Sequence, residues 1–93
     1  MIADKLYKKA VALSPICVGL DTQTEHLPAC ISERDQSDGE KIYEFNRQII
    51  DAVHEDVACF KVQVAFYEAL GIDGMIAYAK TMQYIRKKGA IAI

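Results

Sequence analysis

Two short segments of the chain alternate apolar residues with small or polar ones, as β-strands do, and a long helical stretch separates them. The alternating apolar positions are Ile16, Val18 and Leu20 in residues 16–21, and Phe60, Val62 and Val64 in residues 58–64. Parallel strands need a long crossover connection, usually a helix, so two strands separated by a helix of this length are predicted to pair in parallel. This pattern therefore predicts a parallel sheet and an α/β fold.

Helical patterns fill the stretches around these two strands. An amphipathic helix is predicted over residues 2–13, and Ser37 with Glu40 forms a capping box that starts a second helix. Its spacing places one apolar stripe toward the sheet. The members of that stripe are Ile42, Phe45, Ile49, Ile50 and Val53.

The second half of the chain repeats the strand-then-helix order. Residues 65–70 are predicted to form a short helical turn, followed by a helix that Asp73 caps and Gly89 ends. The predicted inner stripe of this helix is Met75, Tyr78, Ala79, Met82 and Ile85. Residues 90–93, "AIAI", are predicted as a third strand, where the sequence stops. We therefore expect residues 1–93 to form a single partial domain, the N-terminal part of a longer protein with the order βαβαβ.

Composition excludes several classes of function. The 93 residues carry a net charge of −2 and no basic stripe, which argues against nucleic acid as a partner. No apolar run approaches the roughly 18–20 residues that span a bilayer, and no signal-peptide core precedes the first strand. The three cysteines lack the spacing of a metal site, so free thiols in the cytoplasm are expected.

The faces of the predicted strands suggest where a site would form. Asp21 and Lys61 fall on the face opposite the bulky apolar residues, and Gln63 shares the side of Lys61. In a closed (β/α) barrel that face points inward, and functional groups collect at the carboxyl ends of the strands. A doubly wound open sheet fits the same order, although no glycine-rich phosphate loop follows the first strand. Alternatively, Asp21 caps its loop and Lys61 extends into water. The long connection over residues 22–36 is typical of a binding loop.

At these residues the sequence resembles the orotidine 5'-phosphate decarboxylases of the bacterial type 2 branch, which make UMP in pyrimidine synthesis. The resemblance rests on "CVGLD", residues 17–21, and on the longer and more specific "FKVQVAFYEALG", residues 60–71. "LP" at residues 27–28 and "FN" at residues 45–46 also suit that branch. Thr22 and Val62 stand where many relatives have proline.

The resemblance implies the N-terminal portion of a (β/α)8 TIM barrel of the ribulose-phosphate-binding type, usually a homodimer that needs no metal or organic cofactor. It implies that Asp21 binds the ribose hydroxyls of the substrate and that Lys61 contacts the ribose within an array of alternating charges. Gln63 is a further candidate for substrate binding. The catalytic D-x-K-x-x-D motif is expected beyond residue 93, so this stretch alone is expected to be inactive.

Two other classes of function fit the sequence. One is another phosphosugar enzyme of the same barrel suprafamily, such as a keto-gulonate-phosphate decarboxylase, which would need magnesium. The other is a small βαβαβ interaction module without catalysis. The module predicts a monodisperse, cooperatively folded 93-residue chain, whereas a piece of a barrel predicts association through the edge of the third strand.

Overall fold

The structure, a computed structural model, describes residues 16–93. The helix predicted over residues 2–13 lies outside the described residues. The strands are β1 (Cys17–Gly19) and β2 (Cys59–Lys61), and a 3-10 turn covers Thr24–His26. The helices are α1 (Ala29–Ser32), α2 (Asp38–Val53), α3 (Val64–Glu68) and α4 (Gly71–Lys87). The described part is thus a mixed α/β structure, as predicted.

The two strands pair in parallel, which confirms the pairing predicted from their separation. Cys17 is opposite Cys59, and Gly19 is opposite Lys61. Both strands are shorter than predicted, with three residues each. The second ends early because the backbone turns at Gln63, the N-cap of α3, so Val64 starts that helix instead of ending the strand.

Residues 90–93 extend alongside β2 but form less than a full strand. A single parallel bridge joins Phe60 to Ala92. The Phe60 amide donates to the Ile91 carbonyl at 2.8 Å, and the Ile93 amide donates to the Phe60 carbonyl at 2.9 Å. The predicted third strand is therefore present as one bridge, with β2 between β1 and this segment.

One face of the sheet forms the core together with α2 and α4. Leu20, Phe60 and Val62 are buried there, with Phe60 0% exposed. Ile42 and Ile50 from α2 and Ile85 from α4 belong to the same cluster. Ile16, predicted on the same face, is 59% exposed and lies one residue before β1. The alternation thus identified the covered face correctly for the central residues of both strands.

The start of α2 follows the prediction in part. Ser37 is the N-cap, and its hydroxyl accepts a hydrogen bond from the Glu40 amide at 3.2 Å. The cap is completed by Asp73, which accepts from the Gly39 amide at 2.7 Å and from the Ser37 hydroxyl at 2.9 Å. The prediction that Asp73 caps its own helix is therefore wrong: it lies in the first turn of α4, and its carboxylate satisfies orphan donors of α2.

The buried face of α4 is rotated relative to the predicted stripe. The buried residues are Gly74, Ala77, Thr81 and Ile85. Met75 and Ala79, predicted to be inside, are exposed, while Tyr78 and Met82 are half-buried. Gly74 lies against the Tyr67 carbonyl so closely that a side chain would overlap it. Contact with α3 therefore sets the rotation of α4, and apolar spacing alone does not determine it.

Gly89 follows the C-cap of α4 and ends this helix as predicted, with a φ of 73° that favours glycine. Among residues 16–93, no helix is long and apolar enough to cross a membrane.

Candidate functional site

The second face of the sheet carries the residues that the sequence singled out. We call Cys17, Gly19, Asp21, Cys59, Lys61 and Gln63 the polar face. Asp21, Lys61 and Gln63 are all exposed, whereas Cys59 is buried. Lys61 is the last residue of β2, and Asp21 and Gln63 lie two residues beyond the ends of β1 and β2, so all three are at the carboxyl edge of the sheet.

Gly19 connects the positions of Asp21 and Lys61. Gly19 is the register partner of Lys61, so their backbones lie side by side. A Cβ atom placed on Gly19 would lie 3.5 Å from Oδ2 of Asp21, so the Asp21 carboxylate folds back over this glycine. Neighbouring strands are about 4.8 Å apart, so the carboxylate lies near the strand that carries Lys61.

The two charges do not form a direct ion pair. Within residues 16–93, the ion pairs of 4.0 Å or less involve other side chains, such as Arg47 with Asp51 and Lys88 with Asp51. Asp21 and Lys61 thus present a separated carboxylate and ammonium on one exposed surface. Such a pair can contact different hydroxyl groups of one ligand, since neither charge is neutralised by the other.

A cavity of about 290 Å³ opens beside this edge of the sheet. Its lining comes from the connection after β1 and from the segment after β2. The lining residues are Thr22, Gln23, Thr24, Glu25, Ala65, Phe66, Ala69 and Leu70. The connection over residues 22–36, expected to be a binding loop, therefore supplies half of this wall and contains a 3-10 turn and α1.

Below the cavity lies a buried polar group, which we call the Asn46 cluster: Thr22, Asn46, Tyr67 and Thr81. Its side chains are almost fully buried, and Asn46 is 0% exposed. The Thr22 hydroxyl donates to Oδ1 of Asn46 at 2.6 Å. Nδ2 of Asn46 donates to the Tyr67 hydroxyl at 2.9 Å and to the Thr81 hydroxyl at 3.1 Å. The Asn46 amide is thus satisfied at both ends, as a buried polar group must be.

Tyr67 connects this cluster to β1. Its hydroxyl donates to the Leu20 carbonyl at 2.6 Å. Burial raises the pKa of Tyr67, and the negative charge of Asp21 acts in the same direction. Both effects favour the protonated phenol, which is the form that donates to the Leu20 carbonyl.

Sequence reasoning did not identify the Asn46 cluster as a unit. Asn46 lies midway between Ile42 and Ile50, at a spacing of four residues, and all three are 0% exposed. A polar side chain inside an apolar helical stripe was the available signal. Its partners could not be read from the sequence, because they lie 21 to 35 residues away along the chain.

The buried thiol on the polar face also differs from its neighbours. Cys59 is opposite Cys17, and burial followed by the neighbouring Cys17 thiol raises the pKa of Cys59 to about 11. Both are free cysteines. Among the residues that the structure describes, no three side chains of His, Cys, Asp or Glu converge as a metal site.

Comparison with known proteins identifies the relatives of this chain. No family model matches it. Over all 93 residues it is 44% identical to orotidine 5'-phosphate decarboxylase of Clostridium novyi and 47% identical to that of Clostridium botulinum strain Hall. It is 46% identical to the Clostridium kluyveri protein of the same name. These alignments cover 32%, 33% and 32% of the respective relatives, so the chain spans about a third of their length. The resemblance inferred from the strand motifs is confirmed: the chain is homologous, throughout its 93 residues, to part of the orotidine 5'-phosphate decarboxylases.

Proposed function

We propose that the full-length gene product containing these residues decarboxylates orotidine 5'-phosphate to UMP. The observation that carries this proposal is the identity of 44–47% to curated decarboxylases along the whole chain. The shared exposure of Asp21, Lys61 and Gln63 on the polar face supports it independently.

The proposed architecture is the N-terminal portion of a (β/α)8 barrel, in which residues 1–93 form a partial domain. The parallel β1–β2 pairing and the bridge from Phe60 to Ala92 are compatible with successive strands of such a barrel. In this arrangement helices cover the apolar face, and the polar face points toward the barrel interior. The full-length product would act as a homodimer in the cytoplasm.

Asp21 and Lys61 would bind the ribose of the substrate. The exposed carboxylate of Asp21 can accept hydrogen bonds from ribose hydroxyls, and the ammonium of Lys61 can donate to their oxygens. Gln63, two residues beyond Lys61 on the same side, offers both an amide donor and a carbonyl acceptor. These contacts to a part of the substrate remote from the reacting carbon would supply binding energy that holds the pyrimidine in place.

The chemical step is assigned to a D-x-K-x-x-D motif beyond residue 93. Its lysine would protonate the carbanion left at C6 of the pyrimidine, and its aspartates would lie against the departing carboxylate. Lys61 would contribute a fixed charge beside this group. Charges that are in place before the substrate binds need not reorganise as the carbanion develops, which lowers the barrier. No metal or organic cofactor takes part in this proposal.

The first experiment measures UMP formation by the full-length gene product and by the 93-residue chain. We expect turnover by the former and none by the latter. Addition of a metal chelator distinguishes this proposal from the magnesium-dependent phosphosugar enzymes. The chelator should leave the decarboxylation of orotidine 5'-phosphate unchanged, whereas it would inhibit an enzyme that needs magnesium. A full-length product that forms no UMP would contradict the proposed function, and turnover by the 93 residues alone would contradict the assignment of roles.

The second experiment tests the residues. Replacement of Asp21 by Asn should raise the KM for orotidine 5'-phosphate at least tenfold, a loss of about 1.4 kcal/mol of binding free energy. Replacement of Glu68 by Gln is the matched control, since Glu68 is also an exposed carboxylate but lies at the end of α3. A KM that changes equally in both variants would remove Asp21 from the binding site.

A further inference from the structure

Asp21 lies between two residues that are both anchored to buried side chains. On one side, the Leu20 carbonyl accepts a hydrogen bond from the Tyr67 hydroxyl at 2.6 Å. On the other side, the Thr22 hydroxyl donates to Oδ1 of Asn46 at 2.6 Å. Asp21 itself is exposed, so its backbone is fixed through its two neighbours while its carboxylate stays accessible.

The two anchors are joined to each other. Nδ2 of Asn46 donates to the Tyr67 hydroxyl at 2.9 Å, which leaves the phenolic proton for the Leu20 carbonyl. A closed ring therefore forms. The backbone joins Leu20, Asp21 and Thr22, and hydrogen bonds continue the ring through Asn46 and Tyr67 back to Leu20. Hydrogen bonds in a buried chain of this kind polarise and strengthen one another.

We propose that Asn46, Tyr67 and Thr22 are positioning residues that hold the Asp21 carboxylate in the orientation needed for substrate binding. This inference rests on the proposed role of Asp21 in binding the ribose. The ring fixes the backbone on both sides of Asp21, so substrate binding has less motion of this residue left to restrict. None of the three residues needs to touch the substrate.

The test uses two small substitutions in the full-length gene product, Tyr67→Phe and Thr22→Val. Each removes one hydroxyl and one anchor of Asp21, and each preserves the shape of the side chain. Thr81→Val is the matched control: it removes a buried hydroxyl that bonds the same Asn46 amide, at 3.1 Å, but that has no bond to Leu20 or Thr22. Tyr84→Phe is a second control, because its hydroxyl bonds the exposed Asp51.

We expect Tyr67→Phe and Thr22→Val to raise the KM for orotidine 5'-phosphate about fivefold to tenfold. Thr81→Val should lower stability while changing KM less than twofold, and Tyr84→Phe should change neither. Assays are run at a fixed interval below the Tm of each variant, so that unfolding does not contribute. Equal effects of Thr81→Val and Thr22→Val on KM would show a merely structural role and overturn the proposal.

A double-mutant cycle supplies the readout that a structural role would not affect. In an Asp21→Asn background, Tyr67→Phe should cause no further rise in KM, because the group that it positions is already lost. Additive effects of the two substitutions on KM would contradict the proposal.

Hydrogen exchange separates failure of this inference from failure of the proposed function. The Leu20 amide donates to the Lys61 carbonyl at 2.8 Å and reports on the end of β1. It should exchange at least tenfold faster in Tyr67→Phe than in Thr81→Val. If this acceleration occurs but Asp21→Asn leaves KM unchanged, the ring positions Asp21 and the assigned binding role is wrong. If Asp21→Asn raises KM but neither exchange nor KM responds to Tyr67→Phe, the positioning role is wrong.

Discussion

The two faces of the sheet are built from adjacent residues of the same strands and have opposite surroundings. On the covered face Leu20, Phe60 and Val62 are at most 6% exposed and pack with residues of α2 and α4. On the polar face Asp21, Lys61 and Gln63 are exposed. Because successive side chains of a strand point to opposite faces, alternate residues stabilise the fold or are proposed to bind the substrate. A shift of the strand register by one residue would move each set of side chains to the opposite face.

The strongest test of this division compares Phe60→Ala with Lys61→Ala. Loss of the fully buried Phe60 ring should lower the free energy of unfolding by about 3–5 kcal/mol. Lys61→Ala, one residue away, should lower it by less than about 0.5 kcal/mol, because the side chain is exposed, and should instead raise the KM for orotidine 5'-phosphate. Urea unfolding of the full-length gene product measures the first effect. Similar destabilisation by both substitutions would contradict the division of stability and binding between the two faces.

The next test concerns the polar residue on the covered side. Asn46→Ala leaves the hydroxyls of Thr22, Tyr67 and Thr81 without their shared partner, so the free energy of unfolding should fall by about 2–3 kcal/mol. Gln48→Ala is the control, since Gln48 is exposed on the same helix and bonds only Glu44 among the described side chains. Its effect should stay within about 0.5 kcal/mol. Equal losses of unfolding free energy in the two variants would show that the change in helix propensity, and not the loss of the buried hydrogen bonds, causes the destabilisation.

A smaller loss of stability is expected for substitutions at the contact between α2 and α4, the two helices that cover the apolar face. Asp73→Ala removes the carboxylate that accepts from the Gly39 amide and the Ser37 hydroxyl, and should cost about 1–2 kcal/mol of unfolding free energy. Asp38→Ala, at the exposed first position of α2, should cost about 0.5 kcal/mol through the helix dipole. Thermal unfolding of the two variants distinguishes a cap from a general charge effect. The interpretation fails if Asp38→Ala is the more damaging substitution.

A pH-dependent effect concerns Cys59, the buried member of the polar face. Its pKa is raised from 9.0 to about 11, so folding favours the neutral thiol. The stabilisation that this provides is complete below pH 9 and is lost as the pH rises through about 11. The stability advantage of the wild type over Cys59→Ala, measured by urea unfolding, should therefore shrink between pH 9 and pH 11. An advantage that does not change with pH would show that Cys59 is accessible to water.

Local patterns predicted the features that depend on neighbouring residues. The alternation in residues 58–64 identified the buried side of β2, and Ser37 and Gly89 were assigned correctly as helix boundaries. Strand ends were predicted too long because a strand lasts only while it has hydrogen-bonding partners, and Gln63 already belongs to the start of α3.

Features that depend on tertiary contacts were missed for a different reason. Ala77 and Thr81 of α4 are buried, although the predicted stripe placed Met75 and Ala79 on the inner face. The close approach of Gly74 to Tyr67 and the bond from Asn46 to Thr81 decide that rotation. Both contacts join segments that are separated in the sequence, so no window along one helix contains them.

The carboxylate of Asp73 belongs to one helix and completes another that begins 35 residues earlier in the chain. The first turn of α2 therefore remains incomplete during refolding until α4 has docked. We expect the Gly39 amide to gain protection from solvent late, together with α4, and after the middle of its own helix. Pulse-labelling hydrogen exchange during refolding would measure when the Gly39 amide becomes protected, and that time would report when α2 and α4 come together.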